Sequence, residues 1–170
     1  MENSLLEIRD LKVNFKSFDG ISKVLDGVSL VVKRAERVGL VGETGCGKSV
    51  TMKSVLGVLP SPPSEVAGGE ILFKGKDLVH VDKKERRRLK GKGLAYIPQD
   101  PMSGLNPVFT VGTQLRDIII SNREDLGKKS KDKILKVATD TMRLVKLPDP
   151  QGTFNRYPFQ LSGGMQQRVL

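Results

Sequence analysis

The chain has 170 residues, of which 38% are apolar and 28% are charged. This balance is sufficient for one folded domain and excludes both a disordered segment and a protein embedded in a membrane. No apolar run approaches the roughly 20 residues that cross a bilayer, and the start Met-Glu-Asn-Ser lacks the features of a secretion signal. The single cysteine, Cys46, can form no internal disulfide and fits a reducing compartment. We therefore expect a soluble cytoplasmic protein.

The net charge of +10 is compatible with nucleic acid, anionic lipid or a phosphate-bearing small ligand as a partner. Seven basic residues fall between Lys83 and Lys92, and five more between Lys128 and Lys136. Neither stretch contains the aromatic side chains on which single-stranded nucleic acid usually stacks. We interpret both stretches as solvated helical faces, with binding to RNA or to anionic lipid as the alternatives.

Patterns typical of strands dominate the N-terminal half of the chain. They predict strands at residues 5–15, 24–32, 37–41, 69–75 and 94–98. The first two are expected to pair antiparallel across a turn at Asp19 and Gly20. The run 37–41 has the continuous apolar character of a buried parallel strand, and 94–98 that of a buried strand.

Helical spacing of apolar residues predicts helices at residues 50–59, 111–122 and 130–146. Pro60, Pro62 and Pro63 should end the first of them. Residues 100–106 and 148–152 have the composition of loops. The sequence therefore predicts a β-rich beginning, then an α/β unit, and a helical region after residue 110.

The strongest local signal is G-E-T-G-C-G-K-S, from Gly42 to Ser49, which matches the phosphate-loop pattern G-x-x-x-x-G-K-[ST]. Its glycines let the backbone approach phosphate oxygens, and the amides from Gly45 to Val50 can point at them, aided by the helix dipole. Lys48 would supply positive charge to the β- and γ-phosphates, and Ser49 an oxygen ligand for Mg2+. A glycine-rich turn that merely joins strand to helix is the structural alternative. The motif predicts nucleotide binding without distinguishing the many NTPase families that share it.

A second glycine motif, L-S-G-G-M-Q-Q, runs from Leu161 to Gln167. A serine followed by two glycines before a helical stretch predicts an N-cap with exposed amides, although ordinary helix initiation gives the same pattern. The two motifs together resemble the ATP-binding subunits of ABC transporters, and the resemblance covers the whole chain. It implies an α/β fold: a partial P-loop NTPase core of the ABC ATPase type, with an N-terminal antiparallel β layer and a helical subdomain.

The resemblance implies that residues 1–170 are the N-terminal part of one ABC ATPase domain. Residues 1–99 would hold the β layer and the phosphate-loop core, and 100–165 the Q-loop and helical subdomain. Residues 161–170 would hold the signature motif and the start of its helix. The family's Walker B aspartate and glutamate and its switch histidine have no counterpart here, since His80, the only histidine, does not match. We expect no catalytic residue in this sequence, nucleotide binding at best, and hydrolysis by an intact parent.

The resemblance also implies roles for residues outside the two motifs. Gln99 lies where the family has its Q-loop glutamine, so that Ser49 and Gln99 would hold Mg2+. Phe15 matches the aromatic residue that stacks on adenine, with Phe18 as a competing candidate and a core position as the alternative. Ala35 stands where the family usually has glycine. The implied ATP-binding residues are Phe15, Gly42, Glu43, Thr44, Gly45, Cys46, Gly47, Lys48, Ser49, Val50 and Gln99.

The resemblance further implies partners. ATP would bind between two ATPase subunits, identical or different, facing the signature motif of the opposite one. The signature residues are Leu161, Ser162, Gly163, Gly164, Met165 and Gln166. Membrane-spanning permease subunits would hold the chain, peripherally, at the cytoplasmic face of the plasma membrane. The run from Gln99 to Gln114 is similar to that of oligopeptide, dipeptide and nickel importers, which favours peptides as the solute.

Two alternatives stay open. A soluble ABC ATPase of DNA repair or translation agrees with the positive charge, but the long insertion or second cassette usual in such proteins is missing from this sequence. Nucleic acid is therefore not an expected partner. Another P-loop enzyme, such as a nucleotide kinase, would not require the L-S-G-G motif.

Overall fold

The computed structural model describes residues 4–100, 104–123, 125–126 and 130–170. The chain divides into two compact units, Met1–Ala95 and Tyr96–Leu170, and each is described by itself. The first unit carries the phosphate-loop motif, and the second carries Gln99 and the signature motif.

The first unit is built on an antiparallel sheet. Its strands are β1 (Ser4–Ser17), β2 (Gly20–Lys33), β3 (Ser64–Phe73) and β4 (Lys76–Asp77), in the order β2-β1-β3-β4. Strand β1 pairs with β2 from Ser4, opposite Lys33, to Ser17, opposite Gly20. The predicted hairpin is therefore confirmed. The strand predicted at 69–75 is confirmed as the end of β3, and the chain then turns through residues 74–75.

A bulge at Asp10 keeps one face of the sheet apolar. Ile8 and Leu11 are both buried, at 1% and 0% exposure, although strict alternation would put them on opposite faces. The register shifts between these two residues, where Asp10 has a φ of 45°. On β3, Gly69 passes so close that a Cβ there would lie 2.4 Å from the Asp10 carbonyl oxygen. Glycine at 69 therefore allows the bulge to form.

Two helices complete the first unit. Helix α1 (Lys48–Leu56) contributes Val55 to the core that the sheet buries, and α2 (Lys83–Leu89) begins at Asp82, whose carboxylate accepts from two amides of its first turn. The predicted helix is thus confirmed between residues 83 and 89; Arg87 and Arg88 are exposed as expected, whereas Arg86 is partly buried. Helix α1 ends earlier than predicted. Gly57 adopts a left-handed φ of 59° and closes the helix three residues before Pro60.

Two predicted strands are wrong. Residues 37–41 and 94–98 form no strand, apart from an isolated bridge between Lys90 and Leu94. Val41 and Ile97 are 93% and 68% exposed. A buried parallel strand needs a hydrogen-bonded neighbour and cover on both faces, and the four-stranded sheet, which is the only sheet in the described ranges, supplies neither.

The second unit is helical. It contains α3 (Val111–Asn122), α4 (Lys131–Leu144), α5 (Pro150–Asn155), a single 3-10 turn (Pro158–Gln160) and α6 (Gly163–Val169). The two predicted helices, 111–122 and 130–146, are confirmed as α3 and α4. The predicted loop 148–152 is partly wrong, because α5 begins at Pro150 with Asp149 as its N-cap. Of the predicted loop 100–106, residues 101–103 lie outside the described residues.

The core of the second unit is separate from that of the first. Val111, Met142, Leu147 and Leu161 are its buried members, so the leucine of the signature motif is a core residue. Among the helices that the structure describes, none combines the length and apolar character needed to cross a bilayer.

Candidate nucleotide-binding site

The phosphate loop rests on strand β2. Gly45 and Gly47 have φ values of +89° and +93°, which favour glycine. Gly47 is buried, and a Cβ on it would lie 2.6 Å from Leu25 Cδ2 and 3.4 Å from the Val24 carbonyl oxygen. The conformation of the loop is therefore fixed both by its own glycines and by the strand beneath it.

Helix α1 begins without a capping side chain. Its N-cap is Gly47, which makes no side-chain hydrogen bond to the helix, and its first turn contains no acidic residue. The first amides of a helix have no carbonyl partner within it, and they form the positive end of the helix dipole. The amides of Lys48, Ser49 and Val50 are thus suited to an anion. The Val50 side chain itself packs against the core, so only its backbone serves the site.

The ammonium group of Lys48 lies across the loop. Its Nζ donates to the carbonyl oxygens of Gly42 at 2.8 Å and Glu43 at 2.5 Å, and contacts Cys46 Sγ at 3.4 Å. These contacts hold the charge at the loop that precedes the uncapped helix. Glu43, Thr44 and Cys46 are exposed, so none of them is needed for the core.

The groups of the loop fit a phosphate ester accompanied by Mg2+. The exposed Ser49 supplies a hydroxyl oxygen directly after Lys48, and oxygen is the ligand that Mg2+ prefers. Within the described ranges, no cluster of three His, Cys, Asp or Glu side chains could hold a metal ion. A magnesium ion here would take its remaining ligands from phosphate oxygens and water, as is usual for this ion.

Phe15 and Phe18 differ in environment. Phe15 is half-buried in β1, opposite Ser22 of β2 and Ser64 of β3, and packs against the core. Phe18 lies at the β1–β2 turn and is fully exposed, at 111%. Phe15 is therefore partly a core residue, as the alternative interpretation expected. Adenine stacking by Phe15 or Phe18 stays a prediction. Gln99 is exposed and lies outside regular secondary structure in the second unit, where its metal-binding role also stays a prediction.

The signature motif divides into an exposed half and a buried half. Ser162 is the N-cap of α6, and its Oγ accepts from the Met165 amide at 3.4 Å. Ser162, Gly163 and Gly164 are exposed. Leu161 is buried, at 6% exposure, and Met165 packs against the same core. The predicted N-cap is confirmed, and three residues of the motif present their backbone to solvent.

Gln166 belongs to the buried half. It is 6% exposed, and its Nε2 donates to the carbonyl oxygens of Pro158 at 2.8 Å and Leu161 at 3.2 Å. This side chain fixes the turn that leads into the signature motif. The motif alone groups Gln166 with residues that face nucleotide and does not reveal this supporting contact. The sequence contains one indication of the buried position: Gln166 lies three residues before the partly buried Val169, and residues at this spacing share a helix face.

The family model and the similar proteins all describe transporter components. The model of the ABC transporter family matches residues 25–170. An oligopeptide transport ATP-binding protein of Bacillus subtilis is 40% identical over 166 residues, which are 98% of this chain and 45% of that protein. A probable peptide ABC transporter ATP-binding protein of Sinorhizobium fredii is also 40% identical, over 98% of this chain and 48% of its own. The chain thus spans about half the length of the curated relatives it matches.

Solved structures show the same fold. The dimeric structure of a bacterial ABC transporter cassette superimposes with a TM-score of 0.82 at 23% identity, covering 96% of this chain and 66% of that one. A post-hydrolysis dimer of the cassette, bound to ADP and phosphate, gives a TM-score of 0.77 at 21% identity and the same coverage. The expected fold class, a P-loop NTPase of this cassette type with an antiparallel β layer and helices, is confirmed.

Proposed function

This chain belongs to the ABC transporter family, and on that premise we propose that it is the nucleotide-binding part of the ATP-binding subunit of a peptide importer. ATP binding and hydrolysis drive the movement of solute through membrane-spanning permease subunits. The relatives described above support peptides as the solute, because they are named as peptide or oligopeptide transport proteins. They do not favour a nucleic-acid ATPase or a nucleotide kinase.

The observation that carries the proposal is the start of α1. Amides without a capping side chain, a buried glycine at the N-cap and the ammonium of Lys48 converge at one loop. On nucleotide binding, Lys48 exchanges the carbonyl oxygens of Gly42 and Glu43 for β- and γ-phosphate oxygens. The amides from Gly45 to Val50 hold the same phosphates, and Phe15 stacks on adenine.

When bound, Mg2+ would neutralise the charge of the phosphates. The Ser49 hydroxyl would hold the ion, and the family resemblance implies Gln99 as a further ligand.

The exposed half of the signature motif serves a second ATPase subunit. Ser162 and the amides of Gly163 and Gly164 bind the γ-phosphate of an ATP molecule held by that subunit's phosphate loop. The buried half of the motif supports this surface. Leu161 and Met165 pack in the core, and Gln166 holds the turn before α6 through its hydrogen bonds. Permease subunits keep the assembly at the cytoplasmic face of the plasma membrane.

Thermal unfolding with and without Mg-ATP tests the proposal. If only the folded state binds, ATP at about 100 times its dissociation constant adds roughly 2.7 kcal/mol to the free energy of unfolding. We expect this stabilisation in the natural chain and in Lys53→Ala, which removes a lysine from the last turn of the same helix. We expect none in Lys48→Ala. Equal stabilisation of Lys48→Ala would contradict the assignment of the phosphate loop.

A further inference from the structure

A second concave site lies in the first unit, at the opposite end of α1 from the phosphate loop. It is a cleft of about 290 Å³ that the last residues of α1 line together with β3 and α2. Its wall is apolar at Leu59, Val66, Ile71 and Val79. This volume is near the lower end of the range for small-molecule sites, which are mostly apolar with a few polar groups.

Arg86, on α2, supplies the cationic group of this cleft. Its Nε is shielded from solvent and has no hydrogen-bond partner among the residues that the structure describes. The rest of the guanidinium packs on the end of α1, where a Cβ on Gly57 would lie 2.1 Å from Nη1. A buried charged donor without an acceptor is rare in proteins, and such a donor can mark the place where an ion or a ligand binds.

The neighbouring polar groups of the cleft have hydrogen-bond or ion-pair partners other than Arg86. Glu65 also lines the cleft, but its carboxylate pairs with Lys16 Nζ at 2.6 Å and is 43% exposed. The hydroxyls of Ser54 and Ser64 donate to the carbonyl oxygens of Val50 and Pro60, both at 2.8 Å. Among the described residues that line the cleft, Arg86 is therefore a cation that no carboxylate pairs with.

We propose that the cleft binds a small organic oxyanion, a carboxylate or a phosphate monoester with an apolar body. The oxyanion accepts from the guanidinium of Arg86 where it lines the cleft, because a planar guanidinium can pair with either group through two parallel hydrogen bonds. The apolar body lies against Val66 and Val79. Ser54, the first residue of α1 that lines the cleft, follows Lys48 by six residues, about 9 Å along the helix, so nucleotide and oxyanion occupy different sites.

Nitrogen-15 NMR of the whole chain tests the proposal through the Arg86 Nε–H resonance, assigned by its loss in Arg86→Lys. Benzoate and phenyl phosphate are the probes, since they share a ring and differ in the anionic group. We expect a saturable shift of this resonance with at least one probe, and the responding probe identifies the anion class. The shift should persist in Lys48→Ala and weaken in Val66→Tyr, which narrows the cleft at a side chain that is already 40% exposed. An unmoved resonance with both probes, or a shift lost in Lys48→Ala, would overturn the proposal.

Discussion

Gly47 and Leu25 are in direct contact across the base of the phosphate loop: a Cβ on Gly47 would lie 2.6 Å from Leu25 Cδ2. Leu25 is buried, at 3% exposure, in the core that the sheet forms with α1. The strand β2 therefore limits how far the start of α1 can move. The glycine is required here by its φ of +93° and also by a side chain of the core.

Gly47→Ala should destabilise the chain more than Gly45→Ala. Both residues have a positive φ near 90°, which costs an alanine about 1–2 kcal/mol, but no atom of the described residues lies within 4 Å of a Cβ on Gly45. At Gly47 the clash with Leu25 adds about 1–3 kcal/mol. Urea unfolding measures the difference between the two variants. Equal free energies of unfolding would show that Leu25 moves away without cost.

Gln166→Ala should lower the free energy of unfolding by about 1–3 kcal/mol, because the carbonyl oxygens of Pro158 and Leu161 lose their donor in a buried place. The adjacent Gln167 is exposed, so Gln167→Ala is a matched control that should change stability by less than about 0.5 kcal/mol. Chemical denaturation of both variants checks the prediction. Similar losses in the two would contradict the supporting role of Gln166.

Substitutions in the exposed half of the signature motif should affect dimerisation rather than stability. A Cβ on Gly163 meets no atom within 4 Å in the described part of the chain, so Gly163→Ala should leave the stability unchanged or raise it by up to about 1 kcal/mol. We expect the same variant, and Ser162→Ala, to retain ATP binding by the monomer and to impair ATP-dependent dimerisation. Binding titrations and light scattering measure the two properties. If Ser162→Ala abolished monomer binding, the assignment of this motif to the opposite subunit would be wrong.

Ala35 adopts a left-handed φ of 60° in the turn after β2, at the position where the ABC ATPase resemblance implies a glycine. This conformation costs a non-glycine residue about 1–2 kcal/mol, which exceeds the extra entropy that glycine loses on folding. Ala35→Gly should therefore raise the free energy of unfolding by about 0.5–1 kcal/mol. Ala67→Gly, in strand β3, is the control and should lower it by a similar amount. Unfolding curves that moved in the same direction would refute this explanation.

The features that the sequence predicted correctly are those that depend on residues close together in the chain. The β1–β2 hairpin follows from alternation on both sides of one turn, and the phosphate loop and the Ser162 cap each lie within a few residues. The strands predicted at 37–41 and 94–98 were wrong because an apolar run does not specify its partner strands. Pairing of parallel strands depends on residues distant in the chain.

The roles of single side chains were the least predictable. The interior position of Gln166 and the contact of Arg86 with Gly57 arise from the packing of one segment on another. The early end of α1 could have been predicted from the sequence. Gly57 follows the helix directly, and helices very commonly end at a glycine in the left-handed conformation.

Asp77 should give the chain part of its stability against acid. Partial burial raises the pKa of Asp77, but hydrogen bonds from His80 and from the Val79 amide, at 2.8 Å, lower it more, so the pKa lies below the ordinary 3.8. A lowered folded-state pKa stabilises the protein fully above pH values near 3.8, and this stabilisation is lost as the pH falls through the folded-state pKa. Asp77→Asn should therefore be less stable than the natural chain at neutral pH, and the difference should shrink as the pH falls below about 4. Urea midpoints measured from about pH 7 to about pH 2.5 test this, and a difference that stays constant over that range would remove Asp77 from the acid transition.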